Sequence, residues 1–165
     1  MSLTTRRNVV VGALVIAGAA GTAGFLTDGF GLLPKEYATK PVYAEEGLAI
    51  RGYDPVAYFM EGKPVPGSEA FSTTWNGATW RFASAENRDT FQADPEAYAP
   101  QYGGFCAWAV AAKGKLYSTQ PSNWAIVEGK LYLNYNDDIQ AKWEADIPGF
   151  ITEGDRRWPQ ILDAS

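Results

Sequence analysis

The chain has 165 residues, of which 46% are hydrophobic and 20% charged, the composition of one globular domain with room for a tail or targeting segment. Its net charge is −5, with a pI near 4.7 and no basic stripe beyond the amino terminus, which excludes a nucleic-acid partner. There is no histidine and one cysteine, Cys106; this removes Ser-His-Asp and Cys-His catalysis, histidine-held metals or haem, an intrachain disulfide and any cysteine cluster for zinc or iron–sulfur.

Residues 1–27 read as a targeting segment. Arg6 and Arg7 precede an uncharged run from Asn8 to Thr27 that glycines dilute at 12, 18, 21 and 24. A polar residue before an arginine pair and apolar residues after it make a twin-arginine export signal. Ala17-Gly18-Ala19 and Gly21-Thr22-Ala23 are the candidate cleavage sites. The run is also long enough to stay as a membrane-spanning helix. Cleaved or retained, it places the rest of the chain on the extracytoplasmic side of the inner membrane, periplasmic in location. Residues 28–46, with Gly29, Gly31, Pro34 and Pro41, read as a linker, and residues 47–165 as the folded part.

Asp54-Pro55 predicts a capped helix start, with Val56 to Met60 helical and the turn region Lys63–Gly67 after it. Phe71–Trp75 and Thr79–Phe82 read as strands around Asn76-Gly77, a strong hairpin signal because both residues accept positive φ. Ser84 caps a helix through Phe91, and Asp94-Pro95 starts a short one through Tyr98. Gly103-Gly104 breaks the chain before a helix over residues 105–112, closed by Gly114. Lys115-Leu116-Tyr117 reads as a strand. Trp124–Val127 and Lys130–Asn134 form a second hairpin about Glu128-Gly129. Asn136 caps a helix with Asp137 and Asp138 in its first turn; Pro148-Gly149 interrupts it, and a last helical stretch runs to about Trp158. The expected class is α+β: a small antiparallel sheet of hairpins packed with short helices, preceded by an N-terminal apolar helix.

The run Asp54-Pro55-Val56, the aromatic hairpin from Trp75 to Ser84, Phe91, and Asp94-Pro95-Glu96-Ala97-Tyr98 together resemble the YHS domain family. The resemblance covers under a third of the chain, in order and well spaced. The remainder, from Tyr102 to Tyr135, is similar to a longer exported bacterial branch. Metal-handling relatives carry cysteines after Asp-Pro-Val, after the aromatic Phe and in the following helix; here Ala57, Ala83 and Asn87 stand at those positions. The resemblance therefore implies the scaffold without its thiolate metal chemistry, and no cofactor is expected.

Cys106 near a helix start is either a reactive or metal-binding thiolate, the lone ligand available, or a small buried apolar residue. Tyr53, Asp54, Tyr102, Trp108 and Trp124 could line a pocket beside it for a small organic molecule or cation, or serve as a cap and core aromatics. Asn134 to Asp138 alternates oxygens as a calcium loop does, but lacks the central Gly and the terminal Glu. Arg156-Arg157-Trp158 could meet anionic lipid or form a solvated helix end. Three functions follow: an exported or tethered non-catalytic binding or accessory module, an auxiliary subunit of a membrane protein complex anchored by residues 8–27, or an enzyme or metal-binding protein using Cys106.

Overall fold

The computed structural model describes residues 41–164; the arginine pair, the apolar run and most of the linker lie outside the described residues. Two short strands open the described fold, β1 (Ala44–Glu45) and β2 (Leu48–Ala49). The stretch read as linker therefore ends in folded chain, with Tyr43 already buried.

Helix α1 spans Pro55–Met60, with Asp54 as its cap and Pro55 in its first turn. Strands β3 (Ser68–Trp75) and β4 (Ala78–Phe82) form the expected hairpin, and Asn76 and Gly77 take φ of 48° and 74° at its turn. Helix α2 (Ala85–Ala93) starts at Ser84, whose hydroxyl accepts from Asn87 N. Helix α3 covers Pro95–Tyr98. Helix α4 covers Ala107–Lys113 and ends at Gly114 in the left-handed conformation. Strands β5 (Trp124–Val127) and β6 (Lys130–Leu133) pair antiparallel. Helix α5 (Asp137–Glu144) is capped by Asn136, which accepts from Ile139 N. Helix α6 (Ile147–Asp163) completes the described fold.

The class is α+β, with three departures from expectation. The four-stranded sheet is mixed, in the order β1-β2-β4-β3, because β2 runs parallel to β4 while the other pairs are antiparallel; β5 and β6 make a separate two-stranded sheet. The two-residue strands β1 and β2 are too short to carry an alternation signal. Lys115–Tyr117 is not a strand: no ladder partner lies beside it, and Leu116 and Tyr117 are exposed. Pro148-Gly149 begins a helix instead of interrupting one, because Asp146 accepts from Gly149 N and Pro148 sits in the first turn, where its missing N–H costs nothing.

Two apolar clusters make the core. The first joins Val56, Tyr58, Trp80, Phe82 and Phe91 with Leu131 and Leu133; the second joins Tyr102, Ala107, Val110, Tyr132 and Trp143. Alternation along β6 explains the split: Leu131 and Leu133 point to one face and Tyr132 to the other. Trp80 and Phe82 are buried on one face of β4, with ring centroids 5.2 Å from Phe91 in each case, as the hairpin alternation requires.

Tyr102 bridges to α6. Its φ is 55°, a left-handed conformation that costs a non-glycine residue energy. Its hydroxyl donates to Asp155 Oδ1 at 2.8 Å, and its ring packs on Tyr132 and Trp158. The glycine pair after it is needed for close approach: a Cβ on Gly104 would lie 2.7 Å from Ile50 Cγ2.

Candidate functional site

Asp54 is fully buried and accepts four hydrogen bonds, two on each oxygen. Oδ1 takes Val56 N at 2.8 Å and Ala57 N at 3.2 Å; Oδ2 takes Ala83 N at 2.8 Å and Asn87 Nδ2 at 2.7 Å. A carboxylate offers about four lone-pair sites, so this one is saturated. It fastens the start of α1 to the end of β4 and the first turns of α2.

Residues 56–102 match the family model of the YHS domain. This segment resembles a YHS domain over 47 of the 165 residues. Comparison with curated proteins and with solved structures gives no match. Around Asp54 stand the backbone N–H groups of Ala57 and Ala83 and the side-chain amide of Asn87, the three positions at which the resemblance would place cysteines. The residues present do not fit a thiolate-held metal. They supply one carboxylate with its lone pairs spent on protein donors, two methyl side chains and an amide that donates to that same carboxylate. Among the described residues, no group of three or more His, Cys, Asp or Glu stands close enough to hold a metal.

The residues named from sequence as one pocket are not brought together. Tyr102 borders a cavity of about 220 Å³ with Trp75, Trp80 and Trp158. Cys106 and Trp108 border a different cleft of about 630 Å³. Tyr53, Asp54 and Trp124 line neither. Tyr53 bridges to Pro66, and Trp124 packs on Tyr58 with ring centroids 5.2 Å apart.

The larger cleft lies between α4, the loop 114–118 and α5. Its walls are Trp108, Leu116, Tyr117, Tyr135 and Ile139, and Lys113, Lys142 and Asp138 are its charged groups. Of the four large hydrophobic residues exposed among the described residues, three line it: Leu116, Tyr117 and Tyr135. Lys113 Nζ sits 5.5 Å and Lys142 Nζ 5.7 Å from the Trp108 ring centroid, within cation–π range.

A buried amide fixes the geometry. Asn134, at the end of β6, is fully buried; its Oδ1 accepts Trp108 N at 3.1 Å and the Cys106 thiol at 3.5 Å. Its Nδ2 donates to Gln140 Oε1 at 2.9 Å, and Gln140 Nε2 donates to Glu144 Oε1 at 2.7 Å and the Trp124 carbonyl at 3.4 Å. One network thus ties the start of α4 to α5, the two helices that carry Trp108, Lys113 and Lys142.

Cys106 stands at the cleft wall but its side chain has no exposed surface. Burial pushes its thiol above the ordinary value, and backbone hydrogen bonds offset this only in part. Desolvation thus outweighs any helix-start activation, in line with the reading of Cys106 as a small buried residue. The run 134–138 is also committed to the fold: Asn134 and Asn136 cap helices, and Asp137 accepts from Asn123 Nδ2 at 2.7 Å. Arg156 and Arg157 both pair with Glu153, and Trp158 packs against the second cluster.

Sequence reasoning missed Gln140, Lys113 and Lys142 as site residues and weighed Asn134 only as part of a calcium loop. The readable signal is the apolar pair Leu116-Tyr117 after Gly114-Lys115, which a strand would bury and the observed loop leaves exposed.

Proposed function

We propose that this chain is an exported or membrane-tethered, non-catalytic module built on a YHS scaffold, and that it binds a small organic ligand in the cleft around Trp108. The observation that carries the reading is the gathering of Leu116, Tyr117 and Tyr135 in one cleft whose flanking helices are locked by Asn134. Exposed large apolar side chains that cluster in a concave site mark binding surfaces, and the volume lies within the usual range for ligand pockets. The masked, desolvated thiol of Cys106 supports a packing role over a nucleophilic one. Arg6 and Arg7 before the apolar run support export.

A thermal-shift screen of small organic compounds on the full chain tests this. Compounds that raise the melting temperature of the wild type should lose that effect in Trp108→Ala and in the surface variant Tyr135→Ser. Retention of the full shift by every such compound in both variants would place binding elsewhere.

A further inference from the structure

We infer that the ligand of the Trp108 cleft is a small flat organic anion of the aryl carboxylate class; this rests on the reading of the cleft as a binding site. Two ammonium groups from separate helices, on Lys113 and Lys142, converge on one indole ring. Neither makes an ion pair with a carboxylate among the described residues, although Asp138 borders the same cleft one helical turn before Lys142. Holding two like charges beside one ring costs Coulomb energy, and an anion placed between them relieves that cost. Each ammonium carries three donors and both lysines line the cleft, so an anion there has cationic donors to meet. The body of the ligand then lies against Trp108, Tyr117, Tyr135 and Leu116, where flat aromatic faces stack at low entropic cost. Asp138 limits the charge that the cleft accepts. Two lysines against one aspartate favour a monoanion over a polyphosphate. A cation is disfavoured, because two ammonium groups already face the cleft.

The test is calorimetric titration of the full chain with naphthoate, naphthamide and naphthylmethylammonium, which share one ring system and differ in charge. Naphthoate should bind about tenfold tighter than naphthamide, with an advantage that shrinks as salt rises, and the ammonium should not bind. The double variant Lys113→Gln/Lys142→Gln should remove the tenfold advantage of naphthoate over naphthamide. Equal affinity for acid and amide in the wild type overturns the anion assignment while leaving the cleft as a binding site. Naphthoate binding that survives Trp108→Ala and Tyr135→Ser unchanged places it outside the cleft and takes both readings down. Absence of naphthoate binding at millimolar concentration overturns the inference outright.

Discussion

Replacing Asp54 by alanine isolates the interaction that holds the YHS scaffold together. The change strands four donors at once: Val56 N, Ala57 N, Ala83 N and Asn87 Nδ2. Loss of the helix cap alone costs about 1–2 kcal/mol. Each of the other two donors costs about 1–3 kcal/mol if it stays dry. Ala83 and Asn87 are half-buried, so water reaches part of the gap and the terms do not add in full. The net loss should be about 3–4 kcal/mol. At a urea m-value of about 2 kcal/mol/M, the unfolding midpoint falls by roughly 1.5–2 M, with m unchanged. Asp54→Asn is the sharper companion: its one carbonyl oxygen serves two donors, and its NH₂ meets the other two head-on. It should therefore also be destabilised, by about 2 kcal/mol. Tryptophan fluorescence under urea reads both variants. A loss below about 1 kcal/mol in the alanine variant, or wild-type stability in the asparagine variant, would refute the claim that the saturated carboxylate is structural.

Other outcomes follow from the same geometry. Gly154→Ala should destabilise by about 1–3 kcal/mol despite the better helix propensity of alanine, because the new Cβ would lie 2.5 Å from the Tyr102 hydroxyl oxygen and 2.7 Å from Cζ; a neutral or stabilising result in chemical denaturation would contradict the docking of α6 on Tyr102. Burial is the leading cause raising the phenols of Tyr58, Tyr102 and Tyr132, the last to about 12. Their contribution is fully present below the ordinary value near 10.0 and is lost as pH rises through the folded values, so tyrosinate absorbance in an alkaline titration should show a late group that ionises together with unfolding. The Cys106 thiol is raised in the same sense, and iodoacetamide should label it only after denaturation. Arg6→Lys together with Arg7→Lys should leave the protein in the cytoplasmic fraction; normal export of that variant would remove the twin-arginine reading.

The local rules of the chain were legible where one residue type has one conformational use. Asn76-Gly77 and Glu128-Gly129 turned hairpins, and Asp54, Ser84 and Asn136 capped helices with their own side chains. What was hidden depends on contacts between distant segments. Asn134 looks like a strand end with a polar tip until α4 and α5 fold against it, and only then does one amide serve both. Strand β2 pairs with the edge of β4 and β1 with β2, contacts that the two-residue segments Ala44–Glu45 and Leu48–Ala49 do not reveal. Leu131 and Leu133 fill the core of the YHS segment from outside the residues matched to the family. The residues weighed as one pocket beside Cys106, or else as a cap and core aromatics, divide between two cavities and the core, since an aromatic ring in sequence does not reveal which cluster it joins.

The most direct measurement of the binding claim is an amide and indole ¹⁵N correlation spectrum of the full chain, recorded with and without naphthoate. The account predicts shifts at the Trp108 indole N–H and at the amides of residues 113–118 and 135–142, with Trp75, Trp80 and Trp158 around the smaller cavity unmoved. Shifts confined to Trp75, Trp80 and Trp158, with Trp108 still, would contradict it.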